Sequence, residues 1–432
     1  MNMSDNKYNI GIIGAGVIAD FHAQALKAMD NTELVAAYAR NQQKADLFAK
    51  KYGCAAYSEL EQFIQHSDMD VVTIGSVSGV HLDHVSVAAK AGKHIICEKP
   101  LEITPARVDE MIKICDEAGV MLSGIFPRRF NDSTHIFKEA LDAGRLGKVV
   151  LCDTAIKWWR TQEYYDSGAW RGTWDLDGGG ALMNQSIHTI DLMLYLMGDV
   201  KSVSASGGLE AHEGIEVEDV AVAMVEFKSG ARGVIQASTA CYSNTGLPAS
   251  IHICGDQGSI MMVDDKFSIW DLMHSNQDDD EILQQHGLQS SRSGAGAADP
   301  KAIDFQWHQR NFENALDALD KNETPAVDGK EGLPAAAAAH LRVRNTQRRR
   351  HRRARRGGGA PRHVRRLRRD QVRRLPHVAA ARAHRRRGRA RGDGRRAART
   401  RLGRPAPYRR RRRALCRCLR RRRRGRLRRR SA

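Results

Sequence analysis

Residues Tyr8 to Ile13 read as a buried strand that leads directly into Gly14-Ala15-Gly16, and from Val17 to about Met29 the pattern turns helical. A strand, a tight glycine turn and a helix in that order constrain the fold more than any other feature of the chain. The spacing is Gly14-x-Gly16-x-x-Ala19, a dinucleotide-binding fingerprint in its proper context. Gly14 and Gly16 allow the turn and let backbone approach a pyrophosphate. Val17 and Ile18 open the helix, whose first N–H groups lack intrahelical partners and suit an anion.

The alternation continues downstream. Strands are expected at Leu34–Tyr38, Asp70–Ile74, His94–Cys97 and Met121–Gly124, with helices at Gln42–Lys51, His81–Ala91 and Pro105–Ala118 between them. Strands separated by helices of this length predict a parallel, doubly wound α/β sheet over residues 1–125. After Phe126 the pattern changes. Helices are expected near Ser133–Ala143, Ala181–Met197 and Asp304–Leu319, and strands near Val149–Lys157, Val200–Ser206, Val220–Phe227, Gly233–Ser238, Ser250–Cys254 and Ser259–Val263. Short Gly-containing turns such as Lys228-Ser229-Gly230 imply antiparallel pairing, so residues 126–330 read as an α+β domain with an open, mostly antiparallel sheet. The polar stretch Gln277–Pro300 reads as a surface loop.

A formal charge of +20 over 432 residues suggests a polyanionic partner, but the average hides a break. Residues 1–332 carry 28 Lys+Arg against 48 Asp+Glu, a net of −20, whereas 333–432 carry 42 Arg against Asp370 and Asp393, a net of +40. That last segment has no Lys, Glu, Ile, Met, Phe or Trp, cannot bury enough apolar surface to offset its ordering entropy, and is expected to be disordered. It is either an arginine-rich extension that binds polyanions or a GC-rich gene translated in a shifted frame. The joint loss of Lys, Glu and Ile favours the shift. Nucleic acid is therefore expected to bind only non-specifically, through this tail. Eight cysteines without a CxxC pair or paired framework fit a reduced cytoplasmic protein, and no apolar run long enough for a membrane span is present.

Two constellations outside the fingerprint carry chemistry. Glu98-Lys99-Pro100 follows the strand His94–Cys97, so Lys99 sits at the carboxyl edge of the sheet, where such folds bind ligands, on a turn stiffened by proline. In Gly178-Gly179-Gly180-Ala181-Leu182-Met183-Asn184-Gln185-Ser186-Ile187-His188-Thr189-Ile190-Asp191, a helix would set Asn184, His188 and Asp191 on one face. A histidine and a lysine near a nicotinamide suit the removal of a hydroxyl proton while hydride leaves carbon.

Together these three motifs resemble the Gfo/Idh/MocA oxidoreductases, the family of glucose-fructose oxidoreductase and inositol dehydrogenase, over roughly residues 6–330. The resemblance implies a Rossmann domain, then an α/β domain whose open sheet often mediates homodimers or homotetramers. It further implies NAD(P)-dependent transfer of hydride from a secondary hydroxyl of a sugar, sugar nucleotide or cyclitol. Lys99 matches the lysine that contacts the reacting hydroxyl and His188 the acid/base histidine. Asn184 stands where many members have Asp, which shifts proton transfer toward His188 and Lys99. Asp191 matches a substrate-side position that binds a hydroxyl or orients the histidine. Arg160, Tyr165 and Trp170, with Tyr164, lie in a stretch that borders substrate in many members or else packs beneath the sheet.

Two departures from the family pattern matter. Where an Asp usually holds the adenosine ribose, this chain reads Tyr38-Ala39-Arg40, which favours NADP over NAD because Arg40 can pair with a 2′-phosphate. The loop Gly75–His81 lacks the usual proline, yet Ser76 and His81 are expected near the nicotinamide side, with Glu98 also against the cofactor. No metal is expected, since nothing in the sequence completes a site around His81 and His84. A non-catalytic dinucleotide-binding regulator and an NAD-dependent glycosidase are the alternatives on the same fold.

Overall fold

The computed structural model describes residues 6–288 and 305–340; the expectations for a loop beyond residue 288 and a tail beyond residue 340 lie outside the described residues. Six strands, β1 (Tyr8–Ile13), β2 (Thr32–Tyr38), β3 (Ala55–Tyr57), β4 (Val71–Ile74), β5 (His94–Cys97) and β6 (Leu122–Gly124), make the first sheet. All its pairs are parallel, in the order β3-β2-β1-β4-β5-β6. The order reverses between β1 and β4, which opens a crevice above their carboxyl ends. Sequence signals fix the helices between the strands. The helix Gln42–Tyr52 is capped by the Asn41 side chain and closed by Gly53 at φ 82°. The helix Pro105–Ala118 starts on a Thr104 cap, with proline at its first position where a missing N–H costs nothing.

The second sheet has seven strands, β7 (Val149–Lys157), β8 (Val200–Gly208), β9 (Val220–Phe227), β10 (Arg232–Ser238), β11 (Ser250–Gly255), β12 (Gly258–Val263) and β13 (Lys266–Leu272). Their order is β13-β12-β11-β7-β10-β9-β8. Pairing is antiparallel except between β7 and β10, which run parallel from Leu151 opposite Arg232 to Lys157 opposite Ser238. Hairpins cannot make that pair; a long excursion through the helix Ile187–Met197 separates the two strands. Alternate residues, among them Cys152, Ile156, Ala223, Val225, Ile235 and Ile253, pack on that helix through Ile187, Ile190 and Met193. The other face leaves Val222 and Met224 exposed, 48% and 64%.

Four differences from the sequence expectation have physical causes. The helix expected over 181–197 is two pieces, a wide π-type turn Ala181–Gln185 and an α-helix Ile187–Met197. Part of the expected polar loop is the helix Gln277–His286, nucleated by a capping box between Asn276 and Asp279. The helix Gln306–Lys321, assigned to the second domain, packs Phe312, Ala315 and Leu316 with Ile10, Ile12 and Ala19 of the first sheet's core. Residues 333–340, placed in a disordered tail, complete the helix Gly329–His340, in which Ala335, Ala336 and Ala339 are buried. Alanine is the best helix former and small enough to enter an existing groove.

An ion cluster, buried at Arg129 and Asp191 and open to solvent at Glu331, fastens this last helix. Arg129 Nε and Nη2 donate to the two Asp191 carboxylate oxygens at 2.8 and 2.7 Å, and Nη1 donates to Glu331 Oε2 at 2.8 Å. Despite burial, the two carboxylates hold the Arg129 guanidinium above its ordinary value. Asp191 is therefore committed to the fold on both oxygens, and the sequence expectation that it faces substrate is not met by its placement. Removing one charge of a buried pair strands the other, so Asp191→Asn is expected to lower unfolding stability by about 3 kcal/mol or more, seen as a reduced urea midpoint. Unchanged stability with a raised KM would return Asp191 to the substrate site.

Candidate active site

Lys99 leaves β5 at the crevice over a cis Lys99–Pro100 bond. Its backbone N–H donates to Glu98 Oε2 at 2.9 Å, while Glu98 Oε1 lies 3.0 Å from His22 Nε2 and 3.8 Å from His308 Nε2. His22 is fixed in turn by Thr73 Oγ1, 3.0 Å from its Nδ1. Burial pushes the Glu98 carboxyl up, but the His22 hydrogen bond and the charges of His22, His308 and Lys99 outweigh it and leave it below its ordinary value. His22, Glu98 and His308 are the one group of metal-type donors gathered among the described residues, and sequence spacing could not reveal it. The hydrogen bond between His22 and Glu98 accounts for their closeness.

The Lys99 ammonium donates to the backbone carbonyl of Asn184 at 3.1 Å. Burial lowers its pKa, with Glu98 and Asp177 acting against that. The glycines Gly178 to Gly180 bring Asn184 there. Gly178 adopts φ 77° against Ile103, and a Cβ on Gly180 would run into the Glu218 carbonyl. The buried Glu218 carboxylate accepts the N–H groups of Gly180 and Leu182 at 3.1 and 3.0 Å, and burial pushes it up to about 7. After this turn His188 enters the first turn of the following helix. Its Nδ1 is buried without a hydrogen-bond partner, and its ring meets Phe126 edge-on. Burial, then the charges of Lys99, Arg128 and His308, hold His188 neutral, well below the ordinary histidine range.

A chain of hydrogen bonds borders this pair. Asn184 Nδ2 donates to Asp177 Oδ1, and Gln185 Nε2 donates to Asn184 Oδ1 at 2.8 Å and to the Tyr164 hydroxyl at 2.9 Å. Arg160 Nη2 donates to Gln185 Oε1 at 2.9 Å, and Arg171 Nη1 to the Tyr164 hydroxyl at 2.7 Å. The Arg171 guanidinium also stacks over the rings of Tyr164 and Trp170, 4.2 and 4.5 Å from their centroids. Arg160 and Asn184 thus belong to this chain of hydrogen bonds, and Trp170 lies under Arg171 beside it. Tyr165, expected with them, does neither: it is buried, hydrogen-bonded to Thr239 Oγ1 at 2.8 Å and packed on His212. Asp177, Gln185 and Glu218 escaped sequence reasoning. The only signal for Asp177 was its place before three glycines.

On the cofactor side, the residues fit a dinucleotide. Gly14 has φ 123°, and a Cβ on it would meet the Gly75 carbonyl at 2.7 Å. Gly16 faces open space at the start of the helix Val17–Lys27, with no side chain capping its first N–H groups. Val17 is 49% exposed, and Ile18 borders Gly75. Ala39 and Arg40 follow β2, Arg40 exposed. Two expected contacts are corrected. His81 is buried, with Nε2 3.1 Å from the Ser76 carbonyl and Nδ1 3.1 Å from those of Pro100 and Leu101, so it staples the loop to the lysine turn instead of facing a cofactor. The Ser76 hydroxyl is taken by His84 Nδ1 at 3.0 Å.

Comparison with known proteins agrees with this architecture. Residues 8–126 match the family described as an oxidoreductase family with an NAD-binding Rossmann fold, and residues 135–261 match the Gfo/Idh/MocA C-terminal domain. The myo-inositol 2-dehydrogenase of Thermotoga maritima is 29% identical over 76% of this chain and 92% of its own length. The D-glucoside 3-dehydrogenase of Escherichia coli is also 29% identical, over 59% of this chain and 77% of its own. The WlbA dehydrogenase of Bordetella pertussis, solved with NADH and UDP-GlcNAcA, superposes with a TM-score of 0.71 at 29% identity, covering 80% of this chain and 97% of that one. With its Rossmann domain and its C-terminal domain both matched, the chain belongs to the Gfo/Idh/MocA oxidoreductases, enzymes with an NAD-binding Rossmann fold.

Proposed function

We propose that this enzyme moves a hydride between a nicotinamide dinucleotide and a secondary hydroxyl of a sugar, sugar nucleotide or cyclitol, with Lys99 and His188 handling the hydroxyl proton. The observation that carries the reading is that two half-buried bases from different domains, Lys99 after β5 and His188 on the helix Ile187–Met197, come close enough at the crevice for the Lys99 charge to act on the His188 ring. Burial and the Lys99 charge disfavour the imidazolium of His188, so its neutral ring is available as a base, while Glu98 and Asp177 support the Lys99 ammonium that stabilises a developing alkoxide. When bound, the nicotinamide accepts or gives the hydride. Arg160, Trp170 and Asn184 border the substrate. The relatives above, named as dehydrogenases of myo-inositol and of a D-glucoside or solved with UDP-GlcNAcA, support the substrate class.

The finer readings rest on single features. The absence of a carboxylate at Tyr38-Ala39-Arg40 supports NADP over NAD, although the solved relative named above holds NADH. The exposed apolar residues Leu151, Val222 and Met224 on the open face of the seven-stranded sheet support a homodimer or homotetramer. No helix among the described residues is long and apolar enough to cross a membrane. A cytoplasmic location rests on the unpaired cysteines.

A panel of myo-inositol, methyl glucosides, levoglucosan and UDP-linked sugars, followed by nicotinamide absorbance, tests the activity. Lys99→Ala and His188→Ala are each expected to lower kcat by about 10²-fold or more while dinucleotide binding persists; wild-type turnover in either would remove the mechanism. Arg40→Ala is expected to lower kcat/KM with NADP about tenfold relative to NAD, the worth of one charge-assisted contact. A wild-type enzyme that strongly prefers NAD would refute the NADP reading.

A further inference from the structure

Position 184 holds an amide where many relatives have a carboxylate, yet a carboxylate is still present. Asp177, only 3% exposed, accepts the Gly172 N–H on Oδ2 at 2.8 Å and the Asn184 amide on Oδ1. An ionised carboxylate only accepts, so it dictates the rest of the chain. Asn184 must turn its NH₂ toward Asp177, which leaves its oxygen for Gln185 Nε2, which in turn leaves Gln185 Oε1 for the Arg160 guanidinium. The residue so fixed, Asn184, is the one whose backbone carbonyl receives the Lys99 ammonium.

We propose that Asp177 is a positioning residue for the reaction, its carboxylate setting the direction of the chain through Asn184 and Gln185 and thereby the seat of Lys99. The proposal rests on the reading of Lys99 as a catalytic residue. An amide at 177 would present a second donor to Asn184. If Asn184 flipped to answer it, Gln185 would have to flip too, and the mismatch would end as two donors facing each other at Arg160. A protonated Asp177 creates the same conflict. The groups acting on Asp177 are Lys99, Arg171, the Gly172 N–H and the Asn184 amide, all favouring its charge, and its charge is felt in turn at Glu218, Tyr164 and Tyr165. Burial outweighs the favourable partners and places the carboxyl at about 6. Activity that depends on its ionised form therefore falls as pH drops through about 6.

The experiment compares wild type, Lys99→Ala, Asp177→Asn and the exchange Asp177→Asn/Asn184→Asp, on whichever panel sugar the wild type turns over fastest, across pH. In the exchange variant the amide now at position 177 still accepts from Gly172 and donates to the carboxylate now at position 184. That carboxylate still accepts from Gln185, so every bond in the chain is retained with one negative charge. Asp177→Asn is expected to lose about tenfold or more in kcat, the scale of a misplaced catalytic group, to keep its dinucleotide KM and to lose the acidic limb. Glu218 remains in that variant, so the lost limb belongs to Asp177. The exchange is expected to recover kcat to within about threefold of wild type, well short of a decade. Wild-type kcat and acidic limb in Asp177→Asn overturn the proposal, and so does an exchange variant that folds and is inactive. Should Asp177→Asn fail to fold, the exchange variant and the wild-type limb decide. No turnover of any sugar by wild type, or full turnover by Lys99→Ala, would instead sink the underlying reading.

Discussion

The 3.1 Å hydrogen bond from Lys99 Nζ to the Asn184 carbonyl is the point at which the two domains become one site. Everything around it is arranged to keep a lysine half-buried and a backbone oxygen aimed at it. From the nucleotide side, Glu98 accepts the Lys99 N–H and is held by His22, which leans on Thr73 of β4. From the other side, Glu218 ties the N–H groups of Gly180 and Leu182, and the glycines let the chain pass where a Cβ would collide. A buried ammonium without such partners would deprotonate or pull its strand outward.

Electrostatics then distinguish the two groups proposed to handle the proton. His188 has an unpartnered buried Nδ1 and positive neighbours, so it stays neutral; Lys99 keeps two carboxylates, Glu98 and Asp177, in its field. Neighbouring groups whose environments push their proton affinities apart are the usual way one site carries both an acid and a base at neutral pH. Arg129, Asp191 and Glu331 do something different with the same kind of chemistry, spending three charges on holding the helix Gly329–His340 in place.

Local patterns were legible in the sequence to the extent that one residue type has one use. Gly14 and Gly16 needed only their neighbours to declare a strand–turn–helix, and the strands Val71–Ile74 and His94–Cys97 announced themselves by their β-branched and apolar residues. Lys99 was legible because proline follows it. The π-type turn at Ala181–Gln185 was not, since its residues suit an ordinary helix, and the Glu218 carboxylate that ties its N–H groups comes from a distant loop before β9. The same holds for Asp191, whose i+7 spacing from Asn184 promised a shared face. Once the turn breaks the helical phase, the face is lost and Arg129 claims the carboxylate. Asp177 and the cluster of His22, Glu98 and His308 depend on contacts between distant segments that no spacing rule encodes. The helix through Pro334–Ala339 shows the converse: an alanine run that cannot build a core alone is ordered by a groove already present.

A crystal structure of the enzyme with dinucleotide and its best panel sugar tests the central claim most directly. The account predicts the reacting hydroxyl within hydrogen-bond reach, about 3 Å, of both Lys99 Nζ and the His188 ring. A sugar bound with that hydroxyl against other groups, and Lys99 still turned wholly to the Asn184 carbonyl, would contradict it.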